Sequence, residues 1–415
     1  MSGHGRSRQI CNDNFGYDCQ GLLFIAELGK EDYLEEATHR RFPVLLSEHF
    51  KNAVVCSNVL YCIGASAMAS FEKKLVPPPK IREDGIHGTA GIDVDTIEYV
   101  PLDAGKPINP IRLRQLVLEQ KERLVALIER VFHREQTDLS DVWFATVLAV
   151  ITCIRAHQSD TLVMSNGIFA LGRLAQSAVG LKSLASALKG VETVVQSMRL
   201  HDHDNIMASN GCLAIARICH VPHIDHREDR AIAFEAIDKN TAIQENALRE
   251  GALQAVHKAE ASHGKDPIVA RAVAEALGGL AVGNSHLALE DVEQAAERIC
   301  KAMSHDFHDI EPLKDHFPTI FDEVHGRDEF VMAYGAKALG SMVLVKSTHK
   351  AAGQDKRFPY LVSDPGKQDA IAKVGAIQCM CMALKQFPKK KDTVLSLCGP
   401  ALADAIRLHE NNQVG

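Results

Sequence analysis

The chain is 415 residues long, with 46% hydrophobic and 24% charged residues, which excludes wholesale disorder and suits either several ordinary domains or one long repeat array. Its net charge of −7 provides no general field to hold a polyanion, so no nucleic-acid partner is expected. Aromatics make up only 5%, so the core must rest on Ala, Leu, Ile and Val, which suits tightly packed helices.

The first residues carry Arg6, Arg8, Asp13 and Asp18 around no apolar stretch, so no signal peptide is expected. Ser2 after Met1 likewise departs from the myristoylation pattern. Residues 1–74 read as a helical cap or a degenerate repeat. Residues 75–110 hold six prolines and four glycines, a density that breaks helices, and read as a linker or arm. From Ile111 to Glu135 an amphipathic helix resumes, with Leu116, Leu124, Leu127 and Val131 near one face. The apolar run from Val142 to Ile154 falls short of the ~20 residues that span a bilayer, so no membrane insertion is expected.

Self-similarity begins at residue 165. Residues 165–175 read SNGIFALGRLA and residues 209–219 read SNGCLAIARIC, a recurrence at 44 residues. Residues 270–281 (ARAVAEALGGLA), 333–343 (AYGAKALGSMV) and 399–406 (GPALADAI) repeat the theme. Each centres on an apolar pair: Ala170-Leu171, Ala214-Ile215, Ala276-Leu277, Ala338-Leu339 and Ala401-Leu402. In residues 48–70, Cys62-Ile63 stands in the same place. A second signal, Gly190-Val191, Gly251-Ala252-Leu253 and Gly375-Ala376-Ile377, opens further apolar helices, where glycine permits a sharp change of direction. From each Ala to the next glycine position the chain runs 20, 37, 37 and 37 residues, the third landing on Leu313 instead of a glycine. The surplus predicts inserted loops near residues 220–240, 284–306 and 346–366, projecting from one edge.

This alternation of a glycine-opened helix, a polar turn and an Ala-Leu helix resembles the armadillo repeat over about residues 140–410. The resemblance implies an all-α fold, a right-handed α-solenoid over 111–410 whose third helices line a concave groove, with a tail at 411–415. Members that bind nuclear-import signals present a Trp and Asn ladder on those helices. Here the Trp positions hold Phe169, Leu213, Glu275, Lys337 and Pro400, and the Asn positions hold Arg173, Arg217, Gly279, Ser341 and Asp404. Recognition of basic import signals is therefore not expected. Arg173 and Arg217 offer planar donor forks suited to carboxylates. With Phe169, Lys337 and Ser341 they are the candidate contacts for an extended or acidic protein segment. The competing reading pairs each arginine with an acidic neighbour in its own fold.

Eleven cysteines without a CxxC indicate a reducing compartment. Cys153, Cys212, Cys219, Cys300 and Cys398 lie in apolar runs and read as core, as do Cys379 and Cys381. His220, His223 and His226, with Cys219 or Asp225, are the candidate metal ligands. Gly278, Gly279 and Gly283 follow no strand and read as packing, and Lys389-Lys390-Lys391 reads as a solvated turn. No phosphate-cradling GxxxxGK[ST], GxSxG or HExxH occurs. The sequence thus predicts a non-catalytic scaffold or adaptor without cofactor, cytoplasmic with cytoskeletal or ciliary association. The alternative is a metal-binding or cofactor-dependent enzyme built on the histidine-rich insertion.

Overall fold

The computed structural model of the chain describes residues 36–73, 99–102, 110–132, 139–177, 184–220, 230–284, 287–304, 328–350 and 357–406. They are mostly helical and fall into two units, Met1–His201 and Asp202–Gly415, a division inside the segment expected as one solenoid.

The first unit contains α1 (Glu36–Glu48), α2 (Ala53–Lys73), α3 (Pro110–Phe132), α4 (Leu139–Ala156), α5 (Thr161–Ser177) and α6 (Gly190–Leu200). Every residue from Val142 to Ala156 is buried, because α4 is surrounded by α1, α3 and α5. That enclosure explains its unbroken apolar sequence. No helix among the described residues is long and apolar enough to cross a membrane.

The second unit contains α7 (Asn205–Cys219), α8 (Arg230–Arg249), α9 (Ala252–His263), α10 (Pro267–Ala281), α11 (Leu289–Ser304) and α12 (Glu329–Met342). Strands β1 (Leu344–Lys350) and β2 (Arg357–Ser363) follow, then α13 (Pro365–Lys373), α14 (Ala376–Gln386), a π turn (Lys391–Leu395) and α15 (Ser396–Ile406).

Four of the five Ala-Leu helices begin in one way, α15 instead following the π turn. Asp160, Asp204, Asp266 and Asp328 precede α5, α7, α10 and α12, each ten positions before the Ala of its pair. Their carboxylates accept the backbone N–H of Val163 (3.0 Å), Met207 (2.8 Å), Ile268 (2.9 Å) and Val331 (2.8 Å). Asn52 caps α2 likewise through Val55 (3.2 Å), ten positions before Cys62. Such caps satisfy first-turn donors and contribute about 1 kcal/mol each.

They also stack in one way. In the first unit α2 lies on α5; in the second α7 lies on α10, α10 on α12 and α12 on α15. A Cβ on Gly278 would come 2.9 Å from the Cα of Ala338, and one on Gly340 2.5 Å from the Cβ of Ala401. At Gly64 it would come 3.2 Å from the Cα of Ala170. Ala170, Ala338 and Ala401 are thus the points where a glycine of the preceding helix meets the next, backbone to backbone, while between α7 and α10 the close approach is Gly279 to Ala216.

Gly251 (φ 85°) and Gly375 (φ 82°) enter α9 and α14 in the left-handed conformation. At the first such junction the left-handed residue is instead Lys189 (φ 60°), and Gly190 is required because a Cβ would lie 2.5 Å from the Ala185 carbonyl oxygen.

Two of the expected loop insertions are structured. Residues 289–304 form α11, which buries Val292, Ala295, Ala296, Ile299, Cys300 and Met303 and packs on α12 and α13. Leu313, where a helix was expected to open, lies outside the described residues. Near 346–366 the chain forms an antiparallel pair, Leu344 opposite Ser363 through Lys350 opposite Arg357, so the fold is not purely helical. In the third insertion, α8 begins at Arg230, and residues 221–229 lie outside the described set. Most of the expected linker and the 411–415 tail lie outside it as well.

The carbonyls at the ends of α7 and α10 are satisfied by α8. The buried Gln244 amide lies 2.7 Å from the carbonyls of both Gly279 and Val282 and 3.3 Å from that of Cys219, while Asn240 donates to Cys219 at 2.8 Å. Buried Lys367 donates to the Asn284 carbonyl at 2.6 Å.

Asp328 carries a pH-dependent cost. It is 2% exposed, and its Oδ2 has no hydrogen-bond partner among the described residues. Burial raises its pKa to about 6, against the pull of the Val331 and Phe330 amides and Arg271. The folded state therefore binds the proton more tightly than the unfolded chain. This favourable contribution is complete below the unfolded value of 3.8 and is lost as pH rises through about 6. Asp328→Asn keeps the cap acceptor and removes the buried charge. It should raise stability by about 1–2 kcal/mol at pH 7.5 and by little at pH 4, measured as urea midpoints at the two pH values.

Candidate functional site

Four of the stacked helices, α5, α7, α10 and α12, leave solvent one narrow stripe each. In α12 the unburied positions are Phe330, Tyr334, Lys337 and Ser341; in α10 they are Ile268, Arg271 and Glu275. In α7, past its first residue, they are Ile206, Asn210, Leu213 and Arg217. In α5 they are Leu162, Asn166, Phe169, Arg173 and Gln176 after the opening threonine, and in α2 Tyr61 and Asn58 lie on the matching stripe. Spacings of three and four residues put each set on one face. All five residues expected to contact a partner (Phe169, Arg173, Arg217, Lys337 and Ser341) occupy these stripes, half-buried.

At the mouth of each stripe, two positions beyond the cap, stands an apolar side chain: Val54, Leu162, Ile206, Ile268 and Phe330. Leu162 is 63% exposed and Ile206 61%.

Further along the stripes, arginines lie on aromatic faces. In the first unit Tyr61 stacks on Phe169 with centroids 5.7 Å apart, and the Arg173 guanidinium lies 5.4 Å from the Phe169 centroid. Arg173 also donates to Gln176 at 3.2 Å. In the second unit Arg271 lies 4.1 Å from the ring centroid of Tyr334 and 5.3 Å from that of Phe330, and pairs with Glu275 at 2.9 Å. Each contact fixes a cation in a flat, half-desolvated position, contributing about 0.5–1 kcal/mol. Arg271 and Tyr334 escaped the sequence reading; their signal was the position one helical turn before Glu275 and Lys337.

Of the expected histidine ligands only His220 lies among the described residues. His220 is the residue following α7, Cys219 is fully buried in the core, and His223, His226 and Asp225 lie outside the described set. Cys381, expected in the core, is exposed, whereas Cys379 is buried. Lys390, expected to be solvated, pairs with Glu329 at 2.7 Å.

A different donor set is assembled in the first unit. Cys56 of α2, Cys153 of α4 and His157, the residue directly after α4, place their ligand atoms within 4.8 Å of one another, the one group of three such donors among the described residues. Both cysteines are fully buried. The Cys56 thiol lies 3.3 Å from the His49 carbonyl, and His157 Nε2 donates to the Phe50 carbonyl at 2.7 Å. A hydrogen bond from the Cys153 thiol holds Cys56 down at about 6 against burial, helped by His157, and the same bond with burial pushes Cys153 well up. Burial opposes the charged form of His157, but Cys56 and the Phe50 carbonyl outweigh it and raise its pKa.

Comparison with protein-family models, curated proteins and solved structures finds no match to this chain.

Proposed function

We propose that the chain is an armadillo-like helical-repeat scaffold that binds an extended protein segment along the stripes of its Ala-Leu helices. The supporting observation is that α5, α7, α10 and α12 are buried except for one stripe past their first turn, and that their stripes carry an apolar residue followed by a held cation or aromatic ring. Packed helices lie 8–10 Å apart, and an extended segment of polyproline-II form advances about 3.1 Å per residue with three residues per turn. Every third residue of a bound segment then meets one helix of the second unit. Its apolar side chains sit on Ile206, Ile268 and Phe330, and its carboxylates meet Arg217 and Lys337. A surface of this kind needs no enclosed pocket, and the function follows as binding instead of catalysis.

The test is affinity capture from the native source, comparing wild type with an Ile206→Ser, Lys337→Glu double variant. Both positions are solvent-facing, so the fold should be retained to within about 0.5 kcal/mol, checked by circular dichroism and thermal melting. A defined set of proteins retained by wild type and lost by the variant is expected. An identical set from both proteins would remove the stripes from consideration.

A further inference from the structure

We propose that Cys56, Cys153 and His157 bind a thiophilic d10 cation, zinc(II) or copper(I), which fastens α2 and the turn before it to α4. Two sulfurs and one imidazole, without a carboxylate, select a soft ion over magnesium or calcium. His157 directly follows α4 and its N–H donates to the Cys153 carbonyl at 3.1 Å, so the last helical turn sets the two on one face, and Cys56 approaches that face from α2.

The orientation of the histidine carries the argument further. A backbone carbonyl only accepts, so the 2.7 Å contact from Nε2 to Phe50 fixes the proton on Nε2 and leaves Nδ1 a lone pair. This is the outer-shell carbonyl that metal-bound histidines characteristically use to set their tautomer. The Phe50 ring lies edge-on to the imidazole, with centroids 6.0 Å apart, and limits its rotation. Binding forms two M–S bonds and one M–N bond. Each thiol yields its proton to water, and Cys56 gives up its contact with the His49 carbonyl. With zinc(II) the two thiolates give a neutral group, suited to a buried site; with copper(I) three donors complete a trigonal shell. Because Cys56 and Cys153 are far apart in sequence, the ion would close a long loop and stabilise the folded chain appreciably.

The test uses the full chain, unfolded and stripped with chelator under reducing conditions, then refolded with zinc(II), copper(I), cobalt(II) or no metal. Wild type is expected to take up about one zinc or copper per chain, to melt higher with that ion, and to give a thiolate-to-cobalt charge-transfer band. Cys153→Ala and His157→Gln should lose the band, while Cys212→Ala, which empties an equally buried position outside the cluster, should keep it. Uptake of zinc alone or copper alone identifies the ion. Wild type without the band and without a metal-dependent melting shift would overturn the proposal, whatever the variants do. Retention of the band by His157→Gln and Cys153→Ala would overturn it equally.

Discussion

Replacing Glu192 with glutamine is expected to destabilise the first unit by about 3 kcal/mol, more than removing its partner Arg155. The Arg155 side chain is 4% exposed and reaches Glu192 at 3.1 Å, while its Nε donates to Thr193 at 2.7 Å. The guanidinium also lies 4.9 Å from the Tyr99 ring centroid. Burial pushes the Tyr99 hydroxyl upward, so that ring offers its face but no charge. A guanidinium does not shed its proton, so Glu192→Gln leaves a cation in the interior without its counter-charge. Glutamine can still accept a hydrogen bond, so what the substitution removes is the charge.

The reverse change should be milder. Glu192 is 31% exposed and can hydrate when Arg155 is gone, and methionine fills the space of the arginine stem. Arg155→Met is therefore expected to cost about 1–2 kcal/mol, and the double variant about as much as Arg155→Met alone. Urea midpoints at constant m-value measure all three. A Glu192→Gln chain no weaker than Arg155→Met would show that the pair contributes packing and not charge neutralisation.

Much of the helical organisation was legible because burial leaves few choices. A helix covered on all sides but one admits only small residues where it meets its neighbours, so the Ala of each pair and the glycines at 278 and 340 stand out in the sequence. The starts were equally regular: the capping aspartates follow one another at 44, 62 and 62 residues. Yet a single Asp is a weak signal until the helix behind it is located. The helix Leu289–Ser304 was missed because no glycine opens it; its signal in the sequence is Glu290 and Asp291 in the first turn. The hairpin escaped because residues 351–356 contain no Asn-Gly or Asp-Gly turn, and β2 carries Pro359. The sulfur and imidazole cluster could be read only in part. Cys153 and His157 have helical metal spacing, but Cys153 lies in an apolar run, and Cys56 is joined to them only by tertiary packing.

The contact between α12 and α15 should be the least forgiving of the close approaches. Gly340→Ala is expected to cost about 3 kcal/mol or more, because its methyl meets the Ala401 backbone and not the end of a flexible side chain. Gly278→Ala meets the Ala338 backbone at 2.9 Å, a less close approach, and should cost about 1–3 kcal/mol. Ser341→Ala, one position on and half-buried on the stripe, should change stability by less than about 0.5 kcal/mol. Pairing Gly340→Ala with Ala401→Gly should restore only part of the loss: it removes the facing Cβ at 2.5 Å but leaves the backbone in place. The damage should also be local. Where each helix is held chiefly by its immediate neighbours, strain between α12 and α15 releases α15 before it disturbs α7 and α10. Hydrogen exchange on Gly340→Ala should therefore accelerate first in Ser396–Ile406 and leave Pro267–Ala281 protected. Uniform acceleration across the second unit would show instead that its stacked helices unfold as one block.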